Sequence, residues 1–145
     1  MIPWKDGVVF QQTEKGVRIK RETAMMQTQK VNIKEKLGLF KDYWSPKIVG
    51  QINDSYVKLV KVRGEFVWHH HENEDELFLV LEGRLTIKTR EKDIVLNEGE
   101  FVIIPKGVEH KPVAEEEVHL MLLEPSTTVN TGNLRSERTT DAQWI

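Results

Sequence analysis

The chain of 145 residues contains no cysteine, which excludes disulfide frameworks, thiolate zinc sites, iron–sulfur clusters and cysteine nucleophiles together. Any metal must be held by nitrogen and oxygen. An excess of positive charge is also missing: 21 Lys and Arg face 23 Asp and Glu, for a formal net charge of −2. Nucleic acid as a partner therefore has no electrostatic support, because counter-ion release needs a basic surface. Long apolar runs are absent too. The longest, Leu77 to Leu81, is far short of the roughly 20 residues that cross a bilayer. Met1-Ile2-Pro3-Trp4-Lys5-Asp6 has none of the apolar character of a signal peptide. A soluble cytoplasmic protein is expected, with neither nucleic acid nor membrane as partner.

What is present points to one folded domain. The hydrophobic share is 39%, close to the globular norm once glycine is counted, and this length buries about two-thirds of the unfolded surface. Alternating or short apolar stretches recur over 47–52, 56–62, 65–71, 76–82, 84–90, 93–96, 100–104, 107–113 and 117–124. Between them stand turn formers such as Asn53-Asp54, Gly83, Asn97-Glu98-Gly99 and Lys106-Gly107, which is the signature of an all-β barrel or sandwich. Nine short strands suit a jelly roll.

Asn32 followed by Ile33, Glu35, Leu37 and Phe40 predicts a short capped helix. The expected organisation is a partly peripheral-strand extension over 1–30, helix and linker over 31–46, a barrel over 47–125 and a C-terminal arm over 126–145. The extension is expected to be dispensable, so that a chain beginning at Met26 still folds. Within the arm, Asn130-Thr131-Gly132-Asn133 reads first as a surface turn. A segment that approaches the barrel mouth is the second reading.

Chemistry concentrates in Trp68-His69-His70-His71-Glu72-Asn73-Glu74-Asp75-Glu76. On a strand His69 and His71 share one face and His70 takes the other. Glu76 opens the next strand and can return its carboxylate to that face, and His110 lies downstream in Gly107-Val108-Glu109-His110. Three imidazoles and one carboxylate on rigid strands suit a divalent first-row metal. A mere histidine-rich surface patch is the alternative for the first pair.

The spacing resembles that of the cupin superfamily. His69, His71, Glu76 and Gly83 match H-x-H-x4-E-x6-G, and Gly99, Pro105, Gly107 and His110 match G-x5-P-x-G-x2-H. Two positions depart from the pattern: four residues instead of five separate Gly64 from His69, and Ala114 replaces the final Asn of the second motif. The resemblance implies a small single-domain cupin with His69, His71, Glu76 and His110 as metal ligands. Fe(II) or Mn(II) is favoured, with Zn, Ni or Cu also accommodated.

Propagating inward parity from the ligands predicts a narrow apolar pocket lined by Val67, Phe78, Val80 and Val108, with Pro112 on the face of His110. Arg84, Lys88 and Arg90 then point outward, leaving few cations for a phosphate. No independent acid–base residue is foreseen in the interior. The expected function is oxygenase-like chemistry on a small, weakly charged or aromatic molecule. A non-catalytic metal or small-ligand sensor and a sugar isomerase or epimerase are the alternatives. Phe66, Trp68, Leu77, Leu79 and Leu81 fall on the opposite parity, where an apolar wall needs a cover from another sheet, the N-terminal segment or a second subunit, and the resemblance to cupins implies a homodimer.

Overall fold

The computed structural model describes residues 28–145, so the expectations for the segment before Thr28 lie outside the described residues. Helix α1 (Ile33–Leu37) ends where the Gly38 amide donates to the carbonyls of Lys34 and Glu35 at 3.2 and 3.1 Å. Eight strands follow: β1 (Lys47–Ile52), β2 (Ser55–Glu65), β3 (Glu76–Glu82), β4 (Leu85–Thr89), β5 (Asp93–Leu96), β6 (Phe101–Ile104), β7 (His110–Pro125) and β8 (Gln143–Trp144). Among the described residues no helix is long and apolar enough to cross a membrane.

The organising element is β7. Along one edge it pairs antiparallel with β2 from Ser55↔Pro125 to Glu65↔Val113. Along its other edge it pairs first with β4 (Thr89↔His110 to Thr86↔Val113) and then with β3 (Glu82↔His119 to Leu77↔Leu123). The change of partner falls at the exposed triplet Glu115, Glu116 and Glu117, where the alternation of buried residues pauses before resuming at Val118. A jelly roll results, with one long bent strand serving both walls.

Gly83 closes the β3–β4 hairpin against that bend with φ +91°, and a Cβ there would lie 2.9 Å from the Glu117 carbonyl oxygen. Only glycine fits both the backbone angle and the gap. Further along, Gly64 at the β2 bulge has φ +84° and pairs with Ala114, so the two departures from the motif spacing lie directly opposite each other.

Alternation decides what is buried. Lys58, Val60 and Val62 on β2, Glu76, Phe78 and Val80 on β3, and Val118, Leu120, Leu122 and Glu124 on β7 are all buried. The apolar members join Leu85, Ile87, Leu96, Ile104 and Ala114 in the main core. Leu59, on the opposite face of β2, packs with Phe40 and Val49, flanked by Ile33, Leu37, Leu81 and Met121. The helix segment thus covers part of the outer wall.

The predicted strand over 65–71 does not form. Strand β2 runs through Glu65, and beyond it the ladder gives way to one amide bond, Phe66 N–H to the Pro112 carbonyl at 3.0 Å, and the isolated bridge His69↔His110. Inward parity flips across this stretch, from Val62 and Phe66 to His69 and His71. Phe66 is consequently buried rather than outward and stacks on Trp44 with ring centroids 4.8 Å apart. Trp68 is half-buried, with the Arg90 guanidinium 3.7 Å over its ring. The arm returns to the sheet: β8 pairs parallel with β1 through Lys47↔Gln143 and Ile48↔Trp144.

Candidate metal centre

His69 and His110 are held by each other's backbones: each amide donates to the other's carbonyl, at 3.0 and 2.9 Å. Each ring is then fixed by its own chain, with Nδ1 2.9 Å from the carbonyl two residues earlier, Val67 for His69 and Val108 for His110. A carbonyl accepts only, so both Nδ1 atoms carry the proton and both Nε2 atoms present a lone pair. That is the tautomer of a nitrogen ligand whose outer nitrogen is anchored by the backbone.

His71 follows at i+2, and Glu76 begins β3 on the same interior face. All four side chains are buried, and one donor atom from each lies within 4.8 Å of the others. Oε2 of Glu76 is 2.7 Å from Nε2 of His71 and 4.0 Å from Nε2 of His110, but without hydrogen-bond alignment. These three atoms are buried and lack a hydrogen-bond partner. Buried polar atoms are nearly always satisfied, and a cation at the point on which these donors converge would satisfy all of them. The residues present therefore fit a metal ion.

Electrostatics agree with the geometry. Burial, aided by the neighbouring His110, pushes the His69 imidazole down to about 4, and burial likewise lowers His110. Both stay neutral at pH 7 as nitrogen donors. Burial alone would also lower His71, but the Glu76 carboxylate outweighs it and holds the imidazole above its ordinary value. Burial alone would raise Glu76; its histidine neighbours, His71 first, outweigh that and hold it low.

A cavity of about 40 Å³, partly open to the surface, adjoins the cluster, with His69 and Glu76 in its wall beside Phe66, Phe78, Leu120 and Leu122. Of the four residues expected to line it, Phe78 does so, as does Pro112. Val80 is fully buried in the core. Val67 and Val108 contribute the carbonyls that orient His69 and His110, because neither lies on a regular strand. The His70 ring stands outside the cluster, half-exposed, with Nε2 3.8 Å from Glu72. His119 sits between Glu117 and Glu82, at 2.8 and 3.2 Å.

Sequence reasoning missed a second ionisable pair. Lys58 Nζ lies 2.7 Å from Glu124 Oε1, both side chains at most 5% exposed, and Glu124 lines the cavity with Glu76. Burial, with the charge of Glu76 second, pushes Glu124 up to about 8 despite Lys58. Parity carried the signal: Lys58 alternates with Val60 and Val62, and Glu124 with Leu120 and Leu122. Asn130, in the arm, also lines the cavity. Lys58 and Asn130 face a second cleft of about 210 Å³ between the barrel and the arm.

Three histidines and a glutamate converging inside a jelly-roll barrel make a β-barrel whose interior could hold a metal ion, and comparison with known proteins agrees on the fold. A family model described as the cupin domain matches residues 56–125. The chain is 52% identical to a cupin-2 domain containing protein from Shewanella frigidimarina NCIMB 400, covering 69% of this chain and 98% of that one, with a TM-score of 0.67. Protein NMB1881 from Neisseria meningitidis is 31% identical over 68% of this chain and all (100%) of its own, with a TM-score of 0.63. Protein YdbB of Bacillus subtilis (strain 168) is 44% identical over 64 residues, 43% of this chain, and the match spans 57% of YdbB. The chain belongs to the cupin family, as a small cupin of the cupin-2 type.

Proposed function

We propose that this chain is a metal-dependent cupin in which His69, His71, Glu76 and His110 hold one divalent first-row ion, Fe(II) or Mn(II) ahead of Zn, Ni or Cu. Its chemistry is oxygenase-like, on a small, weakly charged or aromatic molecule. The observation that carries the reading is the convergence of four buried donors, three of whose atoms have no hydrogen-bond partner. An ion with these four ligands and octahedral preference keeps about two positions free, enough for a small molecule and dioxygen together.

The chain's own residues supply the rest. The walls of Phe66, Phe78, Leu120 and Leu122 exclude water and favour an apolar ligand body. A phosphate would need a free Arg or Lys, whereas no Arg or Lys among the described residues lines this cavity and Lys58, which faces the neighbouring cleft, is committed to Glu124, which argues against a sugar-phosphate isomerase. Glu124 is not needed as a ligand. Tethered through one oxygen, it is the interior carboxylate placed to take and return a proton on a molecule in the cavity.

The small cavity favours one alternative, a non-catalytic sensor of a very small ligand, because about 40 Å³ admits only a few atoms without wall movement. Oxygen uptake by the Fe(II)-loaded protein across a panel of phenols and small acids separates the two. Uptake that His69→Ala abolishes supports the oxygenase; tight binding without turnover supports the sensor. On the outer wall, Phe101 and Ile103 are 59% and 51% exposed beside Leu79 and Leu77, their partners across β3–β6. A second copy is the proposed cover, and a monomeric mass at micromolar concentration would contradict it.

A further inference from the structure

The segment that carries two of the four candidate ligands is clamped on both sides by different parts of the chain. In an extended segment the amide and carbonyl of successive residues point to opposite sides. His69 accordingly turns its backbone to His110 of β7, with bonds of 3.0 and 2.9 Å. His70 turns its backbone the other way, toward the C-terminal arm. There Asn133 meets both groups: the His70 amide donates to Asn133 Oδ1 at 2.9 Å, and the Asn133 amide donates to the His70 carbonyl at 2.9 Å. One residue of the arm thus does what an adjoining strand would do, using its side chain in place of a second backbone acceptor.

The neighbouring residues are built around this contact. Gly132 has φ +56°, and a Cβ there would overlap the His70 carbonyl and lie 3.1 Å from Cδ2 of the His69 imidazole. Thr131 is fully buried, its hydroxyl donating to the Leu134 carbonyl at 2.6 Å and lying 2.6 Å from the Thr139 hydroxyl. The Asn130 side chain ties the arm to itself through the Arg138 carbonyl and the Thr140 amide, at 2.8 and 3.0 Å. Asn133 is therefore presented by a braced turn. His71, the next ligand, has its carbonyl bonded by the Gly107 amide at 2.7 Å, so the ligand segment is pinned at three consecutive residues.

We propose that Asn133 is a positioning residue for the metal centre: by pairing with the His70 backbone it fixes the separation and aim of His69 and His71. Gly132 is required to let it approach. The inference rests on reading the four buried side chains as metal ligands. Groups that orient ligands from outside typically contribute about 10- to 100-fold in metal affinity, and a backbone clamp between two ligands acts in the same way.

The test uses the full chain and Co(II) alone, titrated against a competing chelator, with the Co(II) visible spectrum and the melting temperature of the metal-free protein as further readouts. Asn133→Ala is expected to keep the metal-free melting temperature within a few degrees, weaken Co(II) binding at least 10-fold and shift the visible bands. Asn133→Ser, which restores a shorter acceptor, is expected to recover part of the affinity. Wild-type affinity and spectrum in Asn133→Ala would overturn the inference, as would a drop in melting temperature with unchanged affinity, which marks a purely structural contact. Failure of the wild-type protein itself to bind Co(II) would instead overturn the metal reading on which it rests. If Asn133→Ala does not fold, the comparison of Asn133→Ser with wild type decides by the same criteria.

Discussion

Replacing Lys58 by methionine would leave the Glu124 carboxylate without its partner in a site where both side chains are at most 5% exposed. The carboxylate of Glu76 shares the same cavity wall. Breaking a buried pair by removing one member costs about 3–5 kcal/mol, whereas replacing both members with apolar residues of similar volume is often neutral or stabilising. In this chain the penalty is capped, because the carboxyl that loses its partner can take up a proton. With Glu124 at about 8 in the folded protein, urea unfolding of the metal-free protein should show Lys58→Met destabilised by about 2 kcal/mol at pH 9.5 and by less than about 1 kcal/mol at pH 8. Lys58→Met/Glu124→Leu should lie within about 1 kcal/mol of wild type or above it. The dependence on pH follows from Glu124, which burial raises from 4.5 to about 8 in the folded chain. Between those values the folded form holds a proton that the unfolded chain has released, so this group's contribution is present at low pH and lost as pH rises. At pH 5 Glu124 is neutral and needs no counter-charge, and the cost of Lys58→Met should fall below half its value at pH 9.5. A cost at pH 9.5 no larger than that at pH 5, or single-variant costs that simply add in the double variant, would refute the claim that the two charges stabilise each other.

Three further outcomes follow from particular residues. Gly83→Ala puts a methyl 2.9 Å from the Glu117 carbonyl at φ +91° and should lower stability by about 1–3 kcal/mol, measured by chemical denaturation. Leu85→Ala, at a side chain with 0% exposure in the main core, should cost about 2–5 kcal/mol in the same assay. His69 is lowered from 6.5 to about 4, so the unfolded chain binds a proton in that window that the folded chain refuses, and stability falls as pH drops through it. The loss is about 3 kcal/mol at about 1.36 kcal/mol per unit, and metal-free His69→Gln should show an acid limb shallower by up to that amount.

The ligand cluster was readable because the i, i+2 spacing places His69 and His71 together and the motif spacing singles out Glu76 and His110. The expected hairpin does not form, since β3 pairs with β6 and β7 and the histidine segment bridges to His110 instead. Alternation failed where its premise failed. Between Phe66 and His69 the chain leaves the ladder, so Val67 could not be placed by counting back from His69, and the predicted outward position of Phe66 became a wall of the cavity. Val108 sits in the turn that follows Pro105, where its amide bonds the Pro105 carbonyl at 3.2 Å, and parity says nothing about a turn. Lys58 and Glu124 were within reach of the same rule, since each occupies the buried parity of its strand. The arm was not: the two-residue strand β8 and the Asn133 contact to His70 arise from tertiary placement, and the arm carries no periodicity that would announce either.

Metal content per folded chain tests the central claim most directly, measured by elemental analysis after equilibration with Fe(II) or Mn(II) and removal of excess ion. About one ion per chain is predicted for wild type, and essentially none for His69→Ala/His110→Ala, with both proteins folded by circular dichroism. No bound ion in the folded wild-type protein, or equal binding by the double variant, would contradict the account.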